Sequence, residues 1–346
     1  MKQILLMIAV VALVGCHAGN KKNASKAKAI AEAKAAAETK AAAEAKAAAE
    51  AKAAAEAKAA DKKPLITDPI VEKAIRKQLE KPEGELTKAD LAKVTSLALG
   101  HTQITDAGLK DVAKMQKLEK LDLTATQITD AGLKDVAKMQ KLDGLCFDFT
   151  KITDACLKEV AKLQKLTSLD LFRTKITDAS LKEVAKLQQL DSLVLSGDQI
   201  TDAGLKEVAK LQQLTDLSLG HTPFQITDAG LKEVAKLQQL TTLNLSFCDQ
   251  ITDAGLKEVV KLQKLTSLNL LDTEITDADL KEVAQLQQLT TLNLNYNGQI
   301  TDTGLKEVAK LQKLTSLDLC STEITKAGVA KLQKALPLCN IRHDFD

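Results

Sequence analysis

Tryptophan is absent from this 346-residue chain, tyrosine occurs once and phenylalanine six times, so no core here rests on aromatic bulk. Histidine is scarce as well, at His17, His101, His221 and His343. His101 and His221 lie five repeats apart, about 24 Å at strand spacing, too far to share a metal or a catalytic relay. No CxxC or His/Cys zinc spacing and no glycine-rich phosphate loop occurs. The sequence therefore predicts no catalytic residue, no metal and no cofactor, because nothing supplies a positioned nucleophile and base. Charge of one sign is lacking too: 48 basic and 46 acidic residues leave +2. With no basic stripe carrying interleaved aromatics, nucleic acid is not the expected partner. Glu and Asp alternate with the abundant Lys, as on an ordinary solvated face.

What is abundant is one sentence, ITDAGLKEVAKLQ(K/Q)LxxLxL, repeated at Ile104, Ile128, Ile152, Ile176, Ile200, Ile226, Ile251, Ile275 and Ile300, with a partial copy at Ile324. A period of 24 to 26 residues marks a solenoid whose units bury apolar surface only against their neighbours. In the first copy Leu118, Leu121 and Leu123 have LxxLxL spacing. Leu121 and Leu123 alternate with Lys120, Asp122 and Thr124 at the period of two that a strand requires. Thr105 or Asp106 can cap the next segment, where Leu109, Val112, Ala113 and Met115 recur at helical spacing. Just past each strand stand Thr102, Thr126, Thr150, Thr174, Asp198, Thr222, Cys248, Thr273, Asn297 and Thr322. Short polar side chains there are expected to bond to the neighbouring repeat. Ten rungs at ~4.8 Å spacing make an inner face about 45 Å long, the size of a protein-binding surface.

These motifs resemble the bacterial ITDAGL-type leucine-rich repeats, close to the subclass with cysteine at the ladder position, as Cys248 has here. The resemblance covers residues 65 to 341. It implies an α/β fold: a right-handed leucine-rich repeat solenoid, or horseshoe, with a parallel sheet on the concave face and short helices on the convex face. Residues 64–97 resemble the helical cap that precedes such arrays, with Asp68 as N-cap, Pro69 at the first helical position and Ile70, Ala74, Ile75 and Leu79 as apolar stripe. The array runs over 98–323, and 324–346 resembles the closing half-repeat and cap.

The front end reads as anchor and spacer. Residues 1–15 have the charge, the short apolar run from Ile4 to Val14 and the small residue of a secretory signal, and that run is shorter than the ~20 residues of a membrane span. Leu13-Val14-Gly15-Cys16 matches the lipobox of bacterial lipoproteins, which implies lipidation of Cys16, a tether over 16–26 and a membrane anchor. His17 after the Cys, where the sorting rule of enteric bacteria avoids Asp, implies the outer membrane, on its periplasmic or surface side. Residues 27–63 are nearly all Ala, Glu and Lys, which predicts a solvated single helix about 50 Å long. Of the other cysteines, Cys146, Cys156, Cys248, Cys320 and Cys339, the odd number leaves at least one unpaired, and Cys320 with Cys339 in neighbouring rungs is the nearest approach to a pair.

The helical part is almost identical between copies, whereas the open strand positions vary, which is where a surface meets something else. Phe149, Phe172, Phe247 and Tyr296 fall on open positions, whereas Phe147 replaces a strand leucine and belongs to the core. One patch would join Phe149, Phe172, Arg173, Asp148 and Asp170. A second would join Phe247, Tyr296, Asn244, Asn269, Asn293 and Asp272. The amides are too neutral for a calcium site. The reading is a membrane-anchored, non-enzymatic binding protein of the bacterial envelope whose concave face holds a protein, with a polysaccharide as second candidate. Its rivals are an envelope spacer without a ligand and the substrate-recognition arm of an enzyme complex.

Overall fold

A computed structural model describes residues 21–60, 64–196, 199–222 and 225–345. The chain divides into two units, Met1–Lys63 and Pro64–Asp346. In the first, one helix spans Lys21–Ala60 and so begins ahead of the Ala-rich stretch. Lys28–Glu32, Lys40–Glu44 and Lys46–Glu50 pair one turn apart at 3.9 to 4.0 Å on fully solvated faces, so propensity rather than packing supports this helix. Among the described residues no helix is long and apolar enough to cross a membrane. The signal segment, Cys16 and its lipobox lie outside the described residues, as do Gly197, Asp198, Pro223 and Phe224.

The second unit is one eleven-stranded parallel sheet in strictly sequential order. Its strands are β1 (Ser96–Ala98), β2 (Lys120–Asp122), β3 (Gly144–Cys146), β4 (Ser168–Asp170), β5 (Ser192–Val194), β6 (Asp216–Ser218), β7 (Thr242–Asn244), β8 (Ser267–Asn269), β9 (Thr291–Asn293), β10 (Ser316–Asp318) and β11 (Asn340–Arg342). The register stacks like on like: Leu97 pairs with Leu121, Leu121 with Leu145, and so on to Ile341. That central residue points inward in every strand and is almost fully buried, while its two neighbours face out. Short helices such as Asp154–Val160 and Asp202–Val208 return the chain on the other side. This is the leucine-rich repeat solenoid. The closing segment supplies more than a cap, because the helix Lys326–Ala335 leads into an eleventh strand beyond the ten expected rungs.

The helix starts are built differently from the expectation that Thr and Asp compete for one cap. Thr153 takes the N-cap role, accepting from Ala155 N, while Asp154 reaches forward to the next repeat. Its two carboxylate oxygens accept from the Thr177 backbone N–H (2.8 Å) and hydroxyl (2.7 Å). The same bidentate link joins Asp106 to Thr129, Asp130 to Thr153, Asp178 to Thr201, Asp202 to Thr227, Asp228 to Thr252, Asp277 to Thr301 and Asp302 to Thr325. Each charge-assisted pair fastens one rung to the next. The glycine of ITDAGL is what lets the carboxylate in: a Cβ at Gly204, Gly230, Gly255 or Gly304 would collide with the preceding rung's Asp Oδ1. Ser180 occupies this position by donating its hydroxyl to Asp154 Oδ1 at 2.5 Å.

Asp279 cannot do so, being a carboxylate itself. It turns back to its own Thr276, accepting from that N–H (2.7 Å) and hydroxyl (2.8 Å), and Asp253 is left outside with Lys257 at 3.0 Å. The junction between the helices Asp253–Val259 and Leu280–Val283 therefore lacks the inter-rung link.

At the amino-terminal end the helix Pro69–Gln78 is capped by Asp68, which accepts from Ile70 N and Val71 N. Ile70, Ala74 and Leu79 are only partly buried, whereas Val71, outside the expected stripe, is fully buried beside Ile75. Asp111 ties this helix to the first rung by accepting from the Thr67 N–H (2.6 Å) and hydroxyl (2.9 Å) and from Asp68 N (2.8 Å).

Candidate functional site

Nine of the strands, β1–β4 and β6–β10, are left through a residue with positive φ: His101 (58°), Ala125 (52°), Phe149 (54°), Arg173 (48°), His221 (63°), Phe247 (60°), Asp272 (51°), Tyr296 (60°) and Ser321 (56°). A left-handed conformation costs a non-glycine residue roughly 1–2 kcal/mol. The cost is offset by bonding. The residue before this position hands the chain over the sheet edge, and the N–H of the left-handed residue donates to the next rung, as Phe149 does to Phe172 O (3.1 Å) and Phe247 to Leu271 O (2.9 Å). The following threonine closes the turn within its own rung, Thr150 Oγ1 donating to Phe147 O at 2.6 Å and Thr222 Oγ1 to Leu219 O at 2.7 Å. The expected bond to the neighbouring repeat is made by the Thr273 hydroxyl, which donates to Asn297 Oδ1 at 3.4 Å, and Thr222 Oγ1 lies 3.3 Å from Cys248 Sγ of the next rung. Cys248 and Asn297 make it as donors, to Leu219 O (3.4 Å) and Leu270 O (2.8 Å).

This turn lifts the variable side chains onto the rim of the open sheet face. Phe149 and Phe172 meet edge to face at 6.0 Å, and the Arg173 guanidinium lies 4.8 Å from the first ring and 5.2 Å from the second. Phe172 then meets His221 at 5.5 Å, and His221 stacks on Phe247 at 4.3 Å. The two patches expected from sequence are therefore one continuous row from β3 to β7, and His221, absent from both, is the bridge. Phe172 follows β4 and His221 follows β6, so their contact spans the rung between. That rung contributes the buried Ser196, whose Oγ accepts from Arg173 N at 3.0 Å. Phe149 is 49% exposed and Tyr296 61%, so both are surface side chains, and Phe147 is fully buried. Among the described residues Tyr296 joins no ring, and it stands apart from the row.

The mid-strand series proves partly structural. Asp122, Asp170, Asn244, Asn269 and Asn293 each accept, through Oδ1, from the N–H two residues on, at 2.9 to 3.1 Å. Of their second polar atoms, Asn244 Nδ2 donates to Ser218 Oγ and Asp170 Oδ2 accepts from the Cys146 thiol. Asp272, by contrast, occupies a left-handed turn position.

Around Cys146 the face becomes acidic. Thr124 Oγ1 lies 3.1 Å from its sulfur, and the thiol donates to Asp170 Oδ2 at 3.6 Å. Burial pushes this thiol up to about 11, with Asp170 and Asp122 adding to the effect, so it stays protonated and unreactive at neutral pH. Asp148 is raised by burial and by Asp170, with Arg173 opposing, and its Oδ1 is buried with no hydrogen-bond partner. His221 is held below its usual range by burial and by Arg173, which keeps the imidazole neutral. A shallow groove of about 510 Å³ opens over β1–β4, bordered by Ser96, Lys120, Asp122, Gly144, Cys146 and Asp170. All five cysteines of the array are free thiols, Cys320 and Cys339 included. Among the described residues no group of His, Cys, Asp and Glu has a metal-holding arrangement.

The comparisons agree with this architecture. Residues 231–344 match the family described as Zer-1-like leucine-rich repeats, and residues 91–113, 114–137 and 162–185 match the leucine-rich repeat family. No curated protein matches the chain. An internalin of Listeria monocytogenes is similar at 22% identity and TM-score 0.49, over 82% of this chain and 96% of its own. A leucine-rich repeat protein of Leptospira interrogans is similar at 24% identity and TM-score 0.48, over 75% of each. The TLR13 chain of a TLR13–ssRNA13 complex is similar at 23% identity and TM-score 0.50, over 68% of this chain but only 38% of that one. Likeness at this level concerns the fold alone.

Proposed function

We propose that this chain is a non-enzymatic binding protein of the bacterial envelope, of the ITDAGL-type lipoprotein kind, that holds a protein partner on the open face of its sheet. One observation carries the reading: aromatic and cationic side chains from rungs 3, 4, 6 and 7 form an unbroken row on a rim where an array of near-identical repeats has no structural need of them. Rings and arginine are the side chains on which binding energy concentrates. Lipidation of Cys16, an outer-membrane location and the role of the Lys21–Ala60 helix as a stalk follow from the sequence motifs.

Photo-crosslinkers placed at Phe247 and Tyr296 should capture a partner that crosslinkers on the helix side do not. Replacing Phe149, Phe172, Phe247 and Tyr296 together by alanine should abolish that capture, since each buried anchor is worth about 1–2 kcal/mol or more. Unchanged capture by the fourfold variant, together with an envelope defect on deleting residues 27–63, would establish the spacer reading instead. Loss of labelled acyl chain in a Cys16→Ser variant tests the anchor separately.

A further inference from the structure

We infer that the occupant of this face is a polypeptide presenting a basic segment to rungs β2–β6, an inference that rests on the sheet face being the binding surface.

Charge sign comes first. The chain as a whole carries +2, yet Asp122, Asp143, Asp148, Asp170, Asp191 and Asp216 all lie on or beside this stretch of the open face. Lys120 and Arg173 are the cations set among them. The lysines paired with Glu one helical turn away, such as Lys162, Lys186 and Lys210, sit on the helices instead. A local sign opposite to the whole-molecule sign selects a partner by complementarity and speeds encounter with it.

Unused bonding capacity comes second. Asp122 and Asp170 each spend Oδ1 on a backbone N–H, Asp170 Oδ2 meets only the Cys146 thiol at 3.6 Å, and Asp148 has one oxygen sheltered from water with no donor in reach. Carboxylates crowded in this way raise the energy of the free face, and an incoming guanidinium or ammonium relieves them.

The third observation is that the rings already accept a guanidinium. Arg173 lies against Phe149 and Phe172, next to Asp148 and Asp170. Rings and carboxylates thus share rungs 3 and 4, an arrangement suited to further Arg or Lys side chains. The groove of about 510 Å³ between β1 and β4 has room for such side chains but not for a folded element. A nucleic acid or an acidic glycan would meet like charge along the whole stretch.

The test uses the full chain. A random 12-residue peptide display library is selected on it at low ionic strength, and the strongest sequence is synthesised and its affinity measured. Three proteins are compared: the unaltered chain, Asp122→Asn/Asp148→Asn/Asp170→Asn, and Phe149→Ala/Phe172→Ala/Phe247→Ala, each checked for an unchanged circular dichroism spectrum. Asn retains the Oδ1 acceptor that Asp122 and Asp170 use, so the turns survive. The expected result is a selected pool rich in Lys and Arg, an affinity loss of at least about 10-fold in the asparagine variant, and a flatter dependence on salt. A neutral or acidic pool, equal affinity of the asparagine variant, or preference for a neutral glycan on an array would overturn the inference. If the alanine variant still loses binding in that case, the binding surface stands and only its charge preference falls. If both variants bind as the unaltered chain does, the surface falls with it.

Discussion

Asp154 and Asp148 are six residues apart in sequence and opposite in physical situation. Burial alone would raise both. At the helix start, hydrogen bonds from Ser180 and from the Thr177 hydroxyl and N–H outweigh that burial and hold Asp154 below the usual carboxylate range. At the strand exit, Asp148 receives no comparable donors, Asp170 adds like charge, and the carboxyl is raised. Carboxylates on the helix side are therefore spent on holding rungs together, whereas Asp148 and Asp191 on the sheet face are held at a cost to the free protein. Repetition explains the first set, because each rung must present the same acceptor to the next. It does not explain the second, which occurs where the copies differ.

The contrast breaks most visibly if a helix-side aspartate can be lost without penalty. Asp202→Ala strands the Thr227 N–H and hydroxyl, which it now binds at 2.9 and 2.7 Å. We expect a loss of about 2–3 kcal/mol in urea denaturation, the usual worth of hydrogen bonds to a charged group. A shift no larger than that of a sheet-face substitution would remove the distinction between the two sides.

Acid titration should separate the two sets by sign. Asp154 and Asp302 have folded values below the ordinary 3.8, so their contribution is fully present above that value and is lost as pH falls through the lower folded ones. Asp148 and Asp191 have raised folded values, so protonating them on the way down to 3.8 favours the folded state. In a His221→Gln background, which removes the imidazole whose lowered value would itself cost stability below 6.5, the thermal midpoint should therefore hold or rise in mild acid and drop only below about 3.8. A steady fall beginning near neutrality would contradict this assignment.

The weak junction offers a gain of function in stability. Asp279→Gly opens the space into which Asp253 can swing, restoring the bidentate bond to Thr276 that every other described ITD rung from Thr129 onward receives. We expect an increase of about 1 kcal/mol, measured as a higher melting temperature. The companion Asp253→Ala should be nearly silent in the unaltered chain, where that carboxylate only pairs with exposed Lys257, and costly in the Asp279→Gly background.

Sequence made the repeats, the inward leucines and the phase of each strand legible because alternation has only two solutions, and one of them exposes Leu121 and its equivalents. The same logic separates buried Phe147 from exposed Phe149. It did not reveal that Asp106 serves Thr129 rather than its own helix, since Thr-Asp at a helix start satisfies capping rules in either arrangement. The glycine two residues after most of these aspartates was the available clue: a small residue recurring at a helix start implies something packed against it. The left-handed turn was equally hidden, because nine of its occupants are not glycine. His221 was missed as part of the row because its contact with Phe172 crosses a whole rung, a reach that alternation along a single strand does not reveal.

The smallest expected effect is the most discriminating. Asp148→Asn keeps shape and hydrogen-bonding capacity while removing one charge from a site where burial and Asp170 already oppose ionisation. If this carboxylate were part of the scaffold, losing its charge would destabilise the array as Asp202→Ala does. If it is kept for an incoming cation, stability should stay within about 0.5 kcal/mol or rise slightly, since the charge removed is one that burial and Asp170 already oppose. Denaturation midpoint and affinity for a basic peptide, measured on the same variant, should then move in opposite directions or only the second should move. A joint loss of both would place Asp148 with the helix-side aspartates and leave the sheet face without a separate purpose for its acid.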